Sequence, residues 1–159
     1  MEEYIADLSN AYLVFELQKF DFSVRTQLNA PKKIYLIDPA FHQFSGLQFS
    51  LNTGRVLENV VFVELKRRGK EAYYYVNAVE CDFLIREDAK ITEAIQVCAL
   101  VTAENREREI NGLRKAMETF ALKKGIILTQ EQEEEIVLNG KRITVLPVWK
   151  WLLTRTRSA

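Results

Sequence analysis

The chain has 159 residues, 48% of them hydrophobic, with 22 Lys and Arg balanced by 22 Asp and Glu. That composition suits one core-forming globular region and excludes disordered and fibrous classes. Balanced charge supplies no global field toward nucleic acid, so such contact has to come from a local patch or from elsewhere in a larger protein.

Glu2 to Ala11 is predicted to be an amphipathic helix, with Tyr4, Ile5, Leu8 and Ala11 on one face. Tyr12 to Leu17 reads as a strand, Phe20 to Ser23 as the start of its return partner, and Asn29-Ala30-Pro31 as a break. Lys32 to Ile37 is a further strand, ended by Asp38-Pro39, with a short helix expected over Ala40 to Phe44. Thr53 reads as the N-cap of a long helix reaching about Arg68, stopped by Gly69, with Lys66, Arg67 and Arg68 at the negative end of its dipole. Strands follow over Ala72 to Val76, Val79 to Arg86 and Ile91 to Cys98, the last two joined by a turn at Glu87-Asp88.

Ala103 to Leu122 is a charged helix with Ile110, Leu113, Met117 and Phe120 on its buried face. Gly125 to Leu128 is a buried strand, and Asn139-Gly140 between two alternating runs marks a type I′ hairpin over Glu135 to Leu146. Pro147 opens a last helix carrying Trp149 and Trp151. Helix, three strands, helix, strand is an α/β plan with a mixed central sheet.

Two cysteines, Cys81 and Cys98, and one histidine, His42, leave no Cys/His zinc site and no recognisable His-based triad. No Gly-x-x-x-x-Gly-Lys-[Ser/Thr] occurs, so these residues carry no P-loop. The longest apolar runs are too short to span a bilayer, and no signal peptide opens the sequence. Buried, reduced cysteines point to a cytoplasmic protein.

The chemistry-bearing positions lie in the strands. Asp82 and Gln96 are polar groups among apolar neighbours, where a polar side chain is costly unless something binds it. Strand alternation puts Val79, Cys81, Phe83 and Ile85 on one face, and Glu80, Asp82 and Leu84 on the other. Gln96 and Cys98 share a face with Ala94, and a hairpin brings Gln96 to Asp82 near its open end. Glu58, in the middle of the long helix, can reach the same spot. Oxygen donors of this kind suit Mg²⁺. The competing readings are structural. Glu58 lies on an exposed stripe, Asp82 pairs with Arg86 or caps a backbone group, and Cys98 is a small buried hydrophobe. Lys66-Arg67-Arg68 is read as a solvated helix end, and Glu131 to Glu135 as a solvated acidic loop.

Several segments carry a resemblance. They are Tyr4-Ile5-Ala6-Asp7-Leu8-Ser9-Asn10-Ala11-Tyr12-Leu13, Lys33-Ile34-Tyr35-Leu36-Ile37-Asp38 and Gly54-Arg55-Val56-Leu57-Glu58-Asn59. Glu64-Leu65-Lys66-Arg67-Arg68-Gly69, Glu80-Cys81-Asp82-Phe83 and Ile95-Gln96-Val97 continue the pattern. In order and spacing, over nearly the whole chain, they resemble the C-terminal domain of a group of archaeal and bacterial AAA+ ATPases. The resemblance implies a restriction-endonuclease-like fold of PD-(D/E)xK type over residues 31–159. It implies the tail of a winged-helix segment over residues 1–30, and an ATP site in a preceding ATPase part.

On that resemblance Glu58 is the helical acid, Asp82 the strand acid, Gln96 the second acid and Cys98 the lysine position. Glu58, Asp82 and Gln96 are then the candidate Mg²⁺ ligands. Gln96 removes a charge and Cys98 cannot replace an ammonium donor. The resulting expectation is a non-catalytic accessory domain that contacts the ATPase part or DNA. The alternatives are a Mg²⁺-dependent nuclease with a variant site, and a homodimerisation module using the Trp149/Trp151 end.

Overall fold

A computed structural model describes residues 2–41 and 53–154; His42 and most of the helix expected over Ala40 to Phe44 lie outside them. The elements are α1 (Glu2–Asn10), β1 (Val14–Leu17), α2 (Val24–Asn29), β2 (Lys33–Leu36), α3 (Thr53–Arg67), β3 (Glu71–Asn77), β4 (Val79–Glu87) and β5 (Lys90–Val97). After them come α4 (Arg106–Thr119), β6 (Lys124–Thr129), β7 (Glu134–Leu138), β8 (Lys141–Pro147) and α5 (Val148–Leu153).

The architecture is mixed α/β. A six-stranded sheet runs β3-β4-β5-β6-β8-β7, and β1 and β2 form a separate two-stranded sheet. β3, β4 and β5 are antiparallel neighbours, whereas β5-β6 and β6-β8 are parallel. The β5-to-β6 crossover runs through α4, as a parallel connection requires. α3 and α5 cover one face of the sheet, where Phe62, Leu65 and Trp151 pack on Phe83, Ile85, Ile95 and Leu128. α4 covers the other, where Leu113 and Met117 pack on Cys81, Leu84, Ala94 and Ile127. Among the described residues no helix is long and apolar enough to cross a membrane.

The punctuation follows the local chemistry. Gly69 ends α3 at φ +67°, with its N–H on the Lys66 carbonyl and the Lys70 N–H on that of Leu65. Asn139 and Gly140, both at positive φ, close the β7–β8 hairpin. Gly112 lets α4 lie directly on β4, because a Cβ there would meet the Glu80 carbonyl oxygen at 2.1 Å.

Three expectations are corrected. Phe20 to Ser23 is not the return strand of β1. Ser23 instead caps α2, its side chain accepting from the Thr26 N–H, and the partner of β1 is β2. The aromatic residues misled because Phe20 and Phe22 pack edge-to-face with each other and onto Phe120, while the backbone pairs only at an isolated Lys19–Tyr74 bridge to β3. Strict alternation also fails in β4. Tyr73 pairs with Leu84 but Tyr75 with Cys81, so β4 carries an extra residue at Asp82-Phe83. Cys81 and Leu84 therefore face α4, while Phe83 and Ile85 face α3.

Thirdly, the basic run closing α3 is not wholly solvated. The Arg68 side chain is 7% exposed, stacks on the Trp151 ring and donates to the Trp151 carbonyl at 3.0 Å. Arg67 and Arg68 both hold Glu64, at 2.6 Å and 2.5 Å. The Arg67 hydrogen bond, aided by Arg68 and opposed by burial, keeps the Glu64 carboxyl down at about 2. The boundary expected at 30/31 falls between β1 and β2, which pair.

Candidate functional site

The site forms where β4 begins and β5 ends, in a cleft of about 480 Å³ lined by Glu58, Glu80, Asp82, Gln96, Cys98 and Glu109. Its first half lies on the α3 side. The bulge in β4 turns the Asp82 carboxylate toward α3, where Glu58 waits one turn from the helix start. Between them comes a residue that the sequence did not single out, Lys33 of β2. Its Nζ lies 2.8 Å from Glu58 Oε1, 2.7 Å from Glu80 Oε1 and 3.4 Å from Asp82 Oδ1. Tyr35, two residues on and on the same face of β2, donates its hydroxyl to Glu58 Oε1 at 2.6 Å. Asn59 fixes this strand from α3, accepting from the Leu36 N–H at 2.9 Å and donating to the Leu36 carbonyl at 2.7 Å.

The second half lies on the α4 side. The Gln96 side chain is a bridge: Oε1 accepts from the Asp82 N–H at 3.3 Å and Nε2 donates to Glu109 Oε2 at 3.0 Å. Glu109 is 3% exposed and is held by Arg108, whose Nη2 donates to Oε1 at 2.5 Å. Asp82 Oδ2 accepts from the Val97 N–H at 2.8 Å and so ties the two halves together. Cys98 directly follows β5, its own N–H on the Leu128 carbonyl.

The electrostatics follow from this crowding. Burial pushes the Asp82 carboxyl up to about 7, with the Glu58 charge adding to the rise and Lys33 pulling against it. Burial would depress the Lys33 ammonium, but the Glu58 and Asp82 charges outweigh it and hold the lysine protonated well beyond its ordinary range. Burial and the Glu58 charge likewise keep the Tyr35 phenol protonated. The Cys98 thiol is pushed up to about 12 by burial and by the Glu109 and Asp82 charges, so it carries no thiolate at neutral pH.

The structure thus gathers Glu58, Asp82, Gln96 and Cys98 into one cleft, but not as one ligand set. Glu58 and Asp82 meet at the Lys33 ammonium, whereas Gln96 has its two ends committed to a backbone N–H and to Glu109. Asp82 does not pair with Arg86, which binds Glu71. Mg²⁺ needs oxygens at about 2.0–2.1 Å in octahedral array. The carboxylate oxygens instead surround Lys33 Nζ at 2.7–3.4 Å. Among the described residues no group of three or more His, Cys, Asp or Glu side chains is placed to hold a metal ion. As arranged, the carboxylate oxygens surround an ammonium.

Lys33, Tyr35 and Glu109 escaped the sequence reading, and Glu80 was placed on the Asp82 face without a role. Tyr35 carried a signal, as a tyrosine two residues after a lysine on the inward face of a strand. Glu109 carried a weaker one, as an acid on the otherwise apolar stripe of α4.

The chain is 41% identical over 162 residues to an uncharacterized protein of Methanocaldococcus jannaschii, the match covering 95% of this chain and 35% of that protein. It is 26% identical over 154 residues to an uncharacterized protein of Haemophilus influenzae, covering 96% of this chain and 36% of that one. The chain therefore spans about a third of the length of these relatives. No family model and no solved structure matches it.

Proposed function

We propose that this chain is a non-catalytic contact domain of a larger cytoplasmic ATPase of AAA+ type, built on a restriction-endonuclease-like core. One observation carries the contact role. Of the sixteen large apolar side chains exposed among the described residues, ten fall between Tyr4 and Phe41. Tyr4 and Tyr12 are 74% and 73% exposed, Leu28 63%. Apolar surface concentrated in this way marks a surface for a partner. Beside it, a groove lined by Ile5, Ser9, Leu28, Pro31 and Ile34 contains Ser9 Oγ, a buried hydroxyl without a hydrogen-bond partner among the described residues.

The occupant is the rest of the longer polypeptide, in keeping with a match that spans about a third of each relative. A unit of two helices and two paired strands at residues 2–36 is compatible with the tail of a winged helix. The order α3, three antiparallel strands, α4, parallel β6, with Glu58 on the helix and Asp82 on its second strand, supports the nuclease-type core.

The test is hydrogen exchange on the M. jannaschii relative, whole and as the segment matching this chain. Positions matching α1 and Ile34 to Phe41 are expected to exchange at least about tenfold slower in the whole protein. Equal rates would remove the contact role.

The Mg²⁺-dependent nuclease remains a second reading, favoured by one observation: an acid with a raised pKa beside an ammonium in a cleft. DNA cleavage with Mg²⁺ or Mn²⁺, lost in Asp82→Ala, would establish it in place of the first. Homodimerisation through the C-terminal end would have to rest on Trp149, 53% exposed, because Trp151 is buried under Arg68. Sedimentation at high concentration separates that case.

A further inference from the structure

We infer that Lys33 is the resident cation of the acid cluster, a covalently tethered ammonium standing where a nuclease-type site would take a divalent ion. This goes beyond the contact role and rests only on the nuclease-like core of that proposal.

The argument begins with the carboxylates. Glu58, Glu80 and Asp82 come from two elements and converge, and their three charges repel one another unless a cation lies between them. Lys33 Nζ meets all three, donating to Glu58 and Asp82 and forming an ion pair with Glu80 at 2.7 Å. The lysine stem also runs beside the Tyr74 ring, with Nζ 5.6 Å from its centroid. This ammonium comes from neither strand of the β4–β5 hairpin. It is delivered across 49 residues of sequence by β2, itself clamped through Leu36 by Asn59.

The remaining contacts of the acids are also supplied by the protein. Tyr35 donates to Glu58 and the Val97 N–H to Asp82. A divalent ion entering this cluster has to displace Lys33 from Glu58 Oε1, Glu80 Oε1 and Asp82 Oδ1. The cation is therefore part of the fold, and the cluster holds together without added metal.

Removing the charge while keeping the stem exposes the difference. Wild-type protein, Lys33→Met and Lys33→Arg are melted with EDTA and with 5 mM Mn²⁺ or Mg²⁺, and Mn²⁺ binding is measured by calorimetry. The expected result is a wild-type Tm indifferent to the ions, and a Lys33→Met protein that melts lower in EDTA and recovers in Mn²⁺. Lys33→Met should bind Mn²⁺ at least about tenfold more tightly than wild type, because a unit charge has left the cluster. Lys33→Arg keeps a cation and should show no ion dependence, and adding Asp82→Asn to Lys33→Met should abolish the recovery.

Three outcomes overturn the inference. One is wild-type protein that binds Mn²⁺ as tightly as Lys33→Met. Another is a Lys33→Met protein indifferent to the ions, and the third is one that stays unfolded with and without them.

Discussion

At the scale of single residues, the informative side chain is one that looked ordinary. Lys33 alternates with Ile34 and Tyr35 as any half-buried strand residue does, and its partners lie on α3 and β4. Nothing local distinguishes it from Lys32, which pairs with Glu16 at the surface. Asp82 was legible because a carboxylate among Cys81, Phe83 and Leu84 needs an explanation wherever the strand goes. Its titration gives a prediction. The folded-state pKa of about 7 stands above the ordinary carboxylate value of 3.8. From about pH 4 to 7 the native state thus holds a proton that the unfolded chain has released, and stability falls as pH rises through that window. Asp82→Asn cannot ionise yet keeps an acceptor for the Val97 N–H. It should be more stable than wild type at pH 8 by about 2 kcal/mol, a few degrees in Tm, with the gap closing toward pH 4. A gap that widens as pH falls would reverse the assigned sign.

Among the elements, the strands and helices of the sheet were readable because each has its own period and its own stop. α3, the β4–β5 hairpin and the Asn139-Gly140 turn stand within a residue or two of where their sequences place them. The bulge at Asp82-Phe83 was not readable. A bulge leaves the composition of a strand intact and changes only the phase, so alternation continued straight through it. The close approach of α4 to β4 is a second feature visible only in three dimensions. Gly112→Ala places a methyl group 2.1 Å from the Glu80 carbonyl oxygen, which is backbone and cannot rotate away. Denaturant melting should show a loss of about 1–3 kcal/mol. An unchanged midpoint would mean that α4 slides along the sheet at no cost.

For the molecule as a whole, the fold class followed from element order, and the surface did not. Which apolar residues end up outside depends on what is packed against them, and the sequence of α1 looks the same covered or bare. Tyr4→Ser with Leu8→Ser should leave Tm within about 2 °C of wild type, since exposed positions contribute within about 0.5 kcal/mol. The same pair should shorten retention on a hydrophobic-interaction column, and a large fall in Tm instead would place these side chains in the core. The two-stranded sheet connects this outer surface to the cleft. On β2, Ile34 is 44% exposed while its neighbours Lys33 and Tyr35 reach inward to Glu58. Successive residues of one strand thus address the exposed apolar surface and the acid cluster. They are joined by a backbone that rises only about 3.3 Å per residue. A lengthening of one ångström is enough to turn the 2.8 Å contact with Glu58 into no hydrogen bond at all.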